Sequence, residues 1–293
     1  MSYSFFMHFH GRSGDIAWTS PRIYAGHSRN YTQASLIDRA TGSVHTGLSL
    51  NELAPLGAVS PHLHSYEEGF YILEGEAVVA TADRSCQLGP GDFGAFKVGT
   101  LHALRNTGKR PVRWLQMAAP QPRPFGEEPD TFFAREPAET GSPANRPATN
   151  DRNGVLLGHF DCSQIPEPGP ARAGLPGAEG VFLKWLIDEQ FGARHHRMVF
   201  IEYLPGSNIG LHDHTFEEAY FLLSGEVEAV LDGKRYIGKP GDVFWTGVGC
   251  VHSFANIGAQ PVRWLETFAP QPPAENVFRF VAEWRKRAEQ TEA

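Results

Sequence analysis

Short apolar or alternating runs recur along the chain: Phe70 to Leu73, Ala77 to Ala80, Phe93 to Phe96 and Val112 to Met117 in one half, then Tyr220 to Leu223, Val227 to Leu231, Val243 to Thr246 and Val262 to Phe268 in the other. Each has the length of a strand and is bounded by Gly-rich turns, so the pattern predicts the many short strands of a closed or double-layer barrel. Asp232-Gly233 sits between two such runs and predicts a tight hairpin, because glycine supplies the positive φ of a primed turn. Helical spacing is confined to the end of the chain, where Val277, Phe278, Val281 and Trp284 recur while Arg279, Arg285 and Lys286 point elsewhere. A short C-terminal helix is expected there, packed on a barrel or on a partner subunit.

The two halves repeat one pattern. Pro111-Val112-Arg113-Trp114-Leu115 returns as Pro261-Val262-Arg263-Trp264-Leu265, and Ala119-Pro120-Gln121-Pro122 as Ala269-Pro270-Gln271-Pro272. Glu67-Glu68, Gly75-Glu76 and Pro90-Gly91-Asp92 return at the same offset of 150 residues, without insertions between them. A repeat of that length implies a tandem duplication of a whole domain. Between the copies the sequence is rich in Pro, Gly, Ala and Asn and has little periodicity, which predicts an extended linker. The expected division is a first barrel over residues 1–135, a linker over 136–177, and a second barrel with its helix over 178–293.

Composition narrows the classes of function. The 293 residues carry a formal charge of −7 with no run of Lys or Arg, so nucleic acid is excluded as a partner. No apolar stretch has the length of a membrane span, and the opening residues are aromatic and polar, so no membrane association and a cytoplasmic location are expected. Cys86, Cys162 and Cys250 form no CxxC pair and leave one unpaired in any disulfide scheme. That suits buried thiols in a reducing compartment. Cys250, two residues before His252, is either within reach of the metal or, as the favoured alternative, a small buried apolar residue.

Candidate chemistry lies in two sets of four. His62 and His64 are one residue apart, so a strand projects both imidazoles from one face; Glu68 follows by four and His102 comes from a later strand. His212, His214, Glu218 and His252 repeat the set at the same offset. Three imidazoles and a carboxylate would fill four positions of an octahedron and leave two open, as in a catalytic site. Burying eight ionisable groups without partners would be costly, which favours a divalent metal in each barrel. Such ligands suit Fe(II) or Mn(II) first, with Ni(II), Zn(II) or Cu(II) also compatible.

On these residues the chain resembles the cupin superfamily. Gly206, His212, His214, Glu218 and Gly225 fit the first cupin motif, and Gly241, Gly249, His252 and Asn256 fit the second, with Gly247 replacing its proline. In the first copy His62, His64, Glu68, Gly75, Gly91, Gly99, His102 and Asn106 match, with Lys97 replacing the proline and Gly57 one residue closer than the pattern. The resemblance implies an all-β protein, two tandem double-stranded β-helix (jelly-roll) barrels, each with a metal. It leaves the reaction open, since cupins include dioxygenases, decarboxylases, isomerases, lyases, hydrolases and non-catalytic binding proteins.

The copies differ at positions that strand alternation turns inward. Phe70 becomes Tyr220, which places a phenol beside the second metal alone, as hydrogen-bond donor, acid, or a hydroxyl bonded only to backbone. Gln116 becomes Glu266, a carboxylate that would orient a ligand or, as the favoured alternative, lie in solvent at the barrel mouth. Tyr220 and Glu266 are thus the candidate catalytic residues, and the second barrel the expected reaction site. Glu67 and Glu217, beside the ligand glutamates, are expected on the opposite, solvated face, Asn106 and Asn256 in structural use, and His8-Phe9-His10 on an edge strand or subunit contact. The expected activity is that of a dioxygenase whose small substrate chelates the metal and reacts with dioxygen, and apolar lining from Phe70, Ile72, Leu104, Leu222 and Phe254 suits an aromatic or diketone-like substrate. A non-redox isomerase, lyase, decarboxylase or hydrolase is the alternative, and a non-catalytic small-molecule binding or regulatory bicupin a third. Terminal strands that pair between cupin subunits make a homodimer the expected assembly.

Overall fold

The structure is a computed structural model and describes residues 7–82, 84–134, 155–166, 178–271 and 279–280. After a leading strand β1 (His8–Arg12), the first barrel is formed by β2 (Ser28–Ile37), β3 (Gly47–His64), β4 (Glu67–Glu74), β5 (Ala77–Thr81), β6 (Ser85–Leu88), β7 (Asp92–Phe96), β8 (His102–Arg105), β9 (Val112–Ala119) and β10 (Thr131–Phe133). After β11 (Val155–His159), the second barrel repeats the plan with β12 (Val181–Ile187), β13 (Arg197–Tyr203), β14 (Asn208–Asp213), β15 (Glu217–Ser224), β16 (Val227–Leu231), β17 (Lys234–Gly238), β18 (Asp242–Thr246), β19 (His252–Asn256), β20 (Val262–Ala269) and the short β21 (Arg279–Phe280). The fold is all-β, as the sequence pattern predicts. Among the described residues no helix is long and apolar enough to cross a membrane.

The duplication is visible in the register. In the first copy β9 lies between β3 and β4, with Leu50 opposite Leu115 and Tyr71 opposite Leu115. In the second β20 lies between β13 and β15, with Phe200 and Phe221 opposite Leu265. The Asp232-Gly233 hairpin forms as expected, with φ of 47° and 76° at its centre and Leu231 opposite Lys234.

Two strands do not follow chain order. β1, from the start of the chain, pairs antiparallel with β18 of the second barrel, His8 opposite Thr246. β11, from the stretch expected as a linker, pairs with β7 of the first, Val155 opposite Phe96. Each therefore covers a sheet edge that would otherwise expose unpaired N–H and C=O groups. His8-Phe9-His10 is accordingly an edge strand. At the other end of the chain, Arg279–Phe280 pair with β14 as a strand and not as part of a helix; the rest of the expected helix lies outside the described residues.

Among the described residues, three large apolar clusters form most of the core. One fills the second barrel around Tyr220, Phe244, Phe254 and Trp264, and one the first around Tyr31, Phe70, Phe96 and Trp114. The third runs between the barrels and joins Leu36, Leu48 and Met117 to Leu186, Met198, Phe221 and Trp245. Across this seam Glu67 and Glu217 act as reciprocal latches, which corrects the expectation of solvated charge: they are 1% and 2% exposed. Glu217 accepts hydrogen bonds from Ser43 Oγ at 2.7 Å and from the backbone N–H of Val44, His45 and Thr46 at 2.8–3.1 Å. Glu67 accepts from the N–H of Arg194 and His195, the same loop one repeat later, and lies 2.8 Å from His196 Nδ1. Alternation does turn these side chains away from the metal, but toward the other barrel.

Cys86 and Cys250 are buried as expected, whereas Cys162 is exposed, on a single 3-10 turn after β11. Asn106 and Asn256 are structural: each donates to two backbone carbonyls, Leu53 and Arg110 in one copy and Tyr203 and Gln260 in the other, at 2.8–2.9 Å. Each also accepts from a glycine N–H two residues on.

Candidate metal centres and the cavity of the second barrel

In each barrel the three histidines converge. One ligand nitrogen from each of His62, His64 and His102 lies within 4.8 Å of the others, and the same holds for His212, His214 and His252. The first pair comes from the end of β3, the third from the start of β8, and register sets His62 opposite His102 just as it sets His212 opposite His252. Glu68 Oε2 is 3.0 Å from His64 Nε2 and 3.9 Å from His102 Nε2; Glu218 Oε2 is 2.7 Å and 3.2 Å from the counterparts on His214 and His252. All eight predicted ligands thus fall into two clusters of four.

The second ring nitrogens show why these clusters suit a metal. His62, His102, His212, His214 and His252 each place Nδ1 2.7–3.0 Å from a backbone carbonyl, those of Ser60, Thr100, Gly210, Phe216 and Cys250. A carbonyl can only accept, so Nδ1 carries a proton and Nε2 is left as the ligand atom facing its partners. His64 differs, its Nδ1 meeting the Thr131 hydroxyl at 3.0 Å. Burial pushes His62 down to about 4 and His64 down to about 3, so both rings are neutral and ready to ligate.

The carboxylates diverge. Burial pushes Glu68 up to about 7 against the pull of His62 and His196. Burial acts on Glu218 in the same sense, but His214 and His252 are close enough to outweigh it and hold that carboxyl low. The tighter second cluster accounts for the difference.

The interiors diverge further. In the second barrel a cavity of about 170 Å³ reaches His212, Glu218 and His252, with Tyr220 and Glu266 on its wall and Leu183, Ile201, Phe254 and Phe268 around them. Of the five apolar residues expected to line a site, only Phe254 borders this cavity; Leu222 and Ile72 are fully packed core. In the first barrel the equivalent space is filled. Tyr31 stands where the second copy has Val181, stacks on Trp114 and donates to Asn51 Oδ1 at 2.7 Å. Tyr24 meets the edges of Tyr31 and His62, and Tyr66 stacks on His64 at 4.3 Å. Phenols therefore adjoin both metal clusters, which corrects the expectation of one only; Tyr24 comes from a distant segment, whereas Tyr66 lies two residues before Glu68, on the side that counting forward along β4 leaves out. Outside this aromatic plug lies a separate space of about 690 Å³ with Gln33, Ser35, Ser49 and Gln116 on its wall.

Tyr220 and Glu266 are both brought to the second cluster. The Tyr220 hydroxyl donates to Glu218 Oε2 and lies 3.2 Å from His252 Nε2. Glu266 is 7% exposed and its Oε2 accepts from Trp264 Nε1 at 2.8 Å, so it does not lie in solvent as favoured from the sequence. Burial, reinforced by the charge of Glu218, raises its carboxyl well above the usual range. The two carboxyl groups that share the wall of this small, largely apolar cavity are therefore shifted in opposite directions.

A β-barrel duplicated in tandem, each copy with an inward-facing set of three histidines and a glutamate, defines a bicupin, and the chain belongs to the cupin superfamily: the cupin-domain family model matches residues 49–117 and 199–268. An oxalate-binding protein of Thermotoga maritima is 42% identical over 62 residues, 21% of this chain and 51% of that protein, so the chain spans about half the length of the curated relative it matches. Among solved structures, the formate complex of Lactobacillus farciminis oxalate decarboxylase superposes with a TM-score of 0.64 at 16% identity, covering 95% of this chain and 90% of that one. Bacillus subtilis oxalate decarboxylase, in a structure concerned with its Mn(II) centres, gives 0.63 at 17%, covering 94% and 80%. At those identities the likeness establishes the fold. By name these relatives are an oxalate-binding protein and two oxalate decarboxylases.

Proposed function

We propose that this bicupin is a metal-dependent, non-redox lyase of a small carboxylate, with oxalate as the first candidate, and that the second barrel is the reaction site. The observation that carries it is the cavity bounded by His212, Glu218, His252, Tyr220 and Glu266. Its volume of about 170 Å³ and its mostly apolar wall suit a small molecule held by a few polar groups. The aromatic plug of the first barrel argues against the same use of its ligands. Manganese is the favoured metal, on the strength of the Bacillus subtilis relative.

A divalent ion held by His212, His214, Glu218 and His252 would supply positive charge for a substrate carboxylate and polarise its bonds. The chain's own groups do the rest. Leu183, Ile201, Phe254 and Phe268 exclude water and strengthen each polar contact. Tyr220 offers its hydroxyl to the bound anion. Glu266, kept protonated, is placed as general acid: as the carbon–carboxylate bond breaks and carbon dioxide leaves, the electron pair remains on the other carbon and takes the Glu266 proton.

Manganese-loaded protein incubated with oxalate and a panel of small carboxylates, with carbon dioxide release and oxygen consumption followed together, tests the assignment. Carbon dioxide without net oxygen uptake is expected. Oxygen consumed in step with product would instead support the dioxygenase, and binding without turnover the non-catalytic bicupin. The homodimer is likewise proposed, and light scattering checks it.

A further inference from the structure

A third cluster of ligand-type side chains lies outside both cupin sets. His8 from β1, Asp232 from the β16–β17 hairpin and Cys250 from the loop before β19 each offer one ligand atom, all within 4.8 Å of one another. His8 Nδ1 and Asp232 Oδ2 are 3.2 Å apart. Two ligands of tetrahedral zinc, each about 2.1 Å from the ion, would be separated by roughly 3.4 Å, so this pair needs little rearrangement. We propose that His8, Asp232 and Cys250 form a zinc(II) site that fastens the leading strand to the second barrel.

The chemistry of the three groups selects the ion. A thiolate, an imidazole and a carboxylate suit borderline-soft Zn(II), whereas the cupin sets contain no sulfur. The thiolate and carboxylate charges together cancel that of the ion, which makes a neutral centre tolerable beside buried His8 and Cys250. The Asp232 side chain is 33% exposed, so water can reach the fourth position. On binding, the Cys250 thiol releases its proton to solvent and nothing is oxidised or reduced.

The repeat argues that the cluster is not required by the fold. Asp232 and Cys250 correspond to Ala82 and Thr100 in the first copy, whereas every cupin ligand is kept. The three zinc ligands join segments that are distant in sequence, and Tyr236, whose hydroxyl is 2.9 Å from His8 Nε2, holds the imidazole from its other side. The site also adjoins the cupin centre, because the Cys250 carbonyl accepts from His252 Nδ1.

Cobalt(II) as a probe distinguishes the sites, since only this one can give a thiolate-to-cobalt charge-transfer band. Metal-stripped full-length protein titrated with Co(II) should take up three ions per chain and develop that band in the near ultraviolet. Cys250→Ser should abolish the band and leave two ions bound; His8→Gln should weaken cobalt binding at the band at least tenfold. A variant with His62, His64, His212 and His214 all changed to Ala should retain the band. The absence of a charge-transfer band in folded wild-type protein at saturating cobalt would overturn the site, as would a band that survives Cys250→Ser. Because the wild-type measurement needs no turnover, its result is independent of the proposed lyase activity.

Discussion

The two barrels hold the same four ligands in the same register, yet one surrounds them with Tyr24, Tyr31 and Tyr66 and the other opens them onto a cavity. Ligand geometry is a property of the scaffold, set by where β3 meets β8 and β14 meets β19. Access depends on residues that the ligand motif does not contain: Tyr31 against Val181, Phe70 against Tyr220, Gln116 against Glu266. A complete metal motif therefore specifies a metal, and the residues around it decide whether a substrate can reach it. The sharpest break of this comparison is to remove one ligand from each side. His214→Ala should reduce kcat/KM by more than about 100-fold, beyond the usual effect of losing a group that merely orients a ligand, while His64→Ala should leave it within about threefold. Each should lose about one metal per chain, so metal content by mass spectrometry separates structural from catalytic loss. The reverse ranking would move the reaction to the first barrel.

Glu266 tests the same contrast within the second barrel. Glu266→Gln converts it to the residue found in the first copy and removes the proton proposed to reach the product carbon. A fall in kcat of about 10²-fold is expected, the lower part of the range for general acids. Metal content should be unchanged and KM altered far less. A variant with full kcat would show that the carboxyl group is a wall of the cavity and no more.

The latches permit a comparison of stability. Glu217 gathers four hydrogen bonds from residues 43–46, one of them from the Ser43 hydroxyl, for which the other copy has Ala193. Glu217→Gln leaves buried N–H donors facing an amide that can accept at one atom only, and should cost about 2–4 kcal/mol. Glu67→Gln should cost less, because its loop supplies fewer donors. Urea unfolding of both variants measures the difference; equal losses would show that the number of donors does not set the strength of the latch.

Much of this was legible in the sequence because it depends on short-range rules. Spacing alone brought the His pairs to one face, the offset of 150 identified the second cluster, and Asp232-Gly233 marked its hairpin. Counting in twos also turned Tyr220 and Glu266 inward. It could not say what stood opposite them, since that is decided by pairing between distant segments. The face away from the metal is the molecular surface only in a lone barrel; here the other barrel covers it and buries Glu67 and Glu217. Tyr24 reaches the first metal cluster from a distant segment with no local signal, whereas Tyr66, two residues before Glu68, lies within reach of the same alternation counted backwards. The crossing of β1 and β11 to the barrels they cover had no local signal, although the His8-x-His10 pair marked the strand that makes one of these crossings.

The smallest expected effect concerns the bend that carries the ligand strand of each barrel over the edge of its sheet. In the second copy this bend is Pro205-Gly206, with Gly206 at φ 79°; in the first it is Pro55-Leu56, with Leu56 at φ 62°. The left-handed conformation brings the Cβ of an L-residue close to the following carbonyl and costs about 1–2 kcal/mol, which glycine avoids. Leu56 is 69% exposed, so little packing compensates. Leu56→Gly should therefore stabilise the first barrel despite the greater freedom it gives the unfolded chain, by a net of about 0.5–1 kcal/mol. Gly206→Leu should destabilise the second by about 1–2 kcal/mol. Thermal unfolding of the two single variants and of the pair measures both signs. Destabilisation by Leu56→Gly would mean that the exposed leucine is held by contacts its solvent exposure conceals.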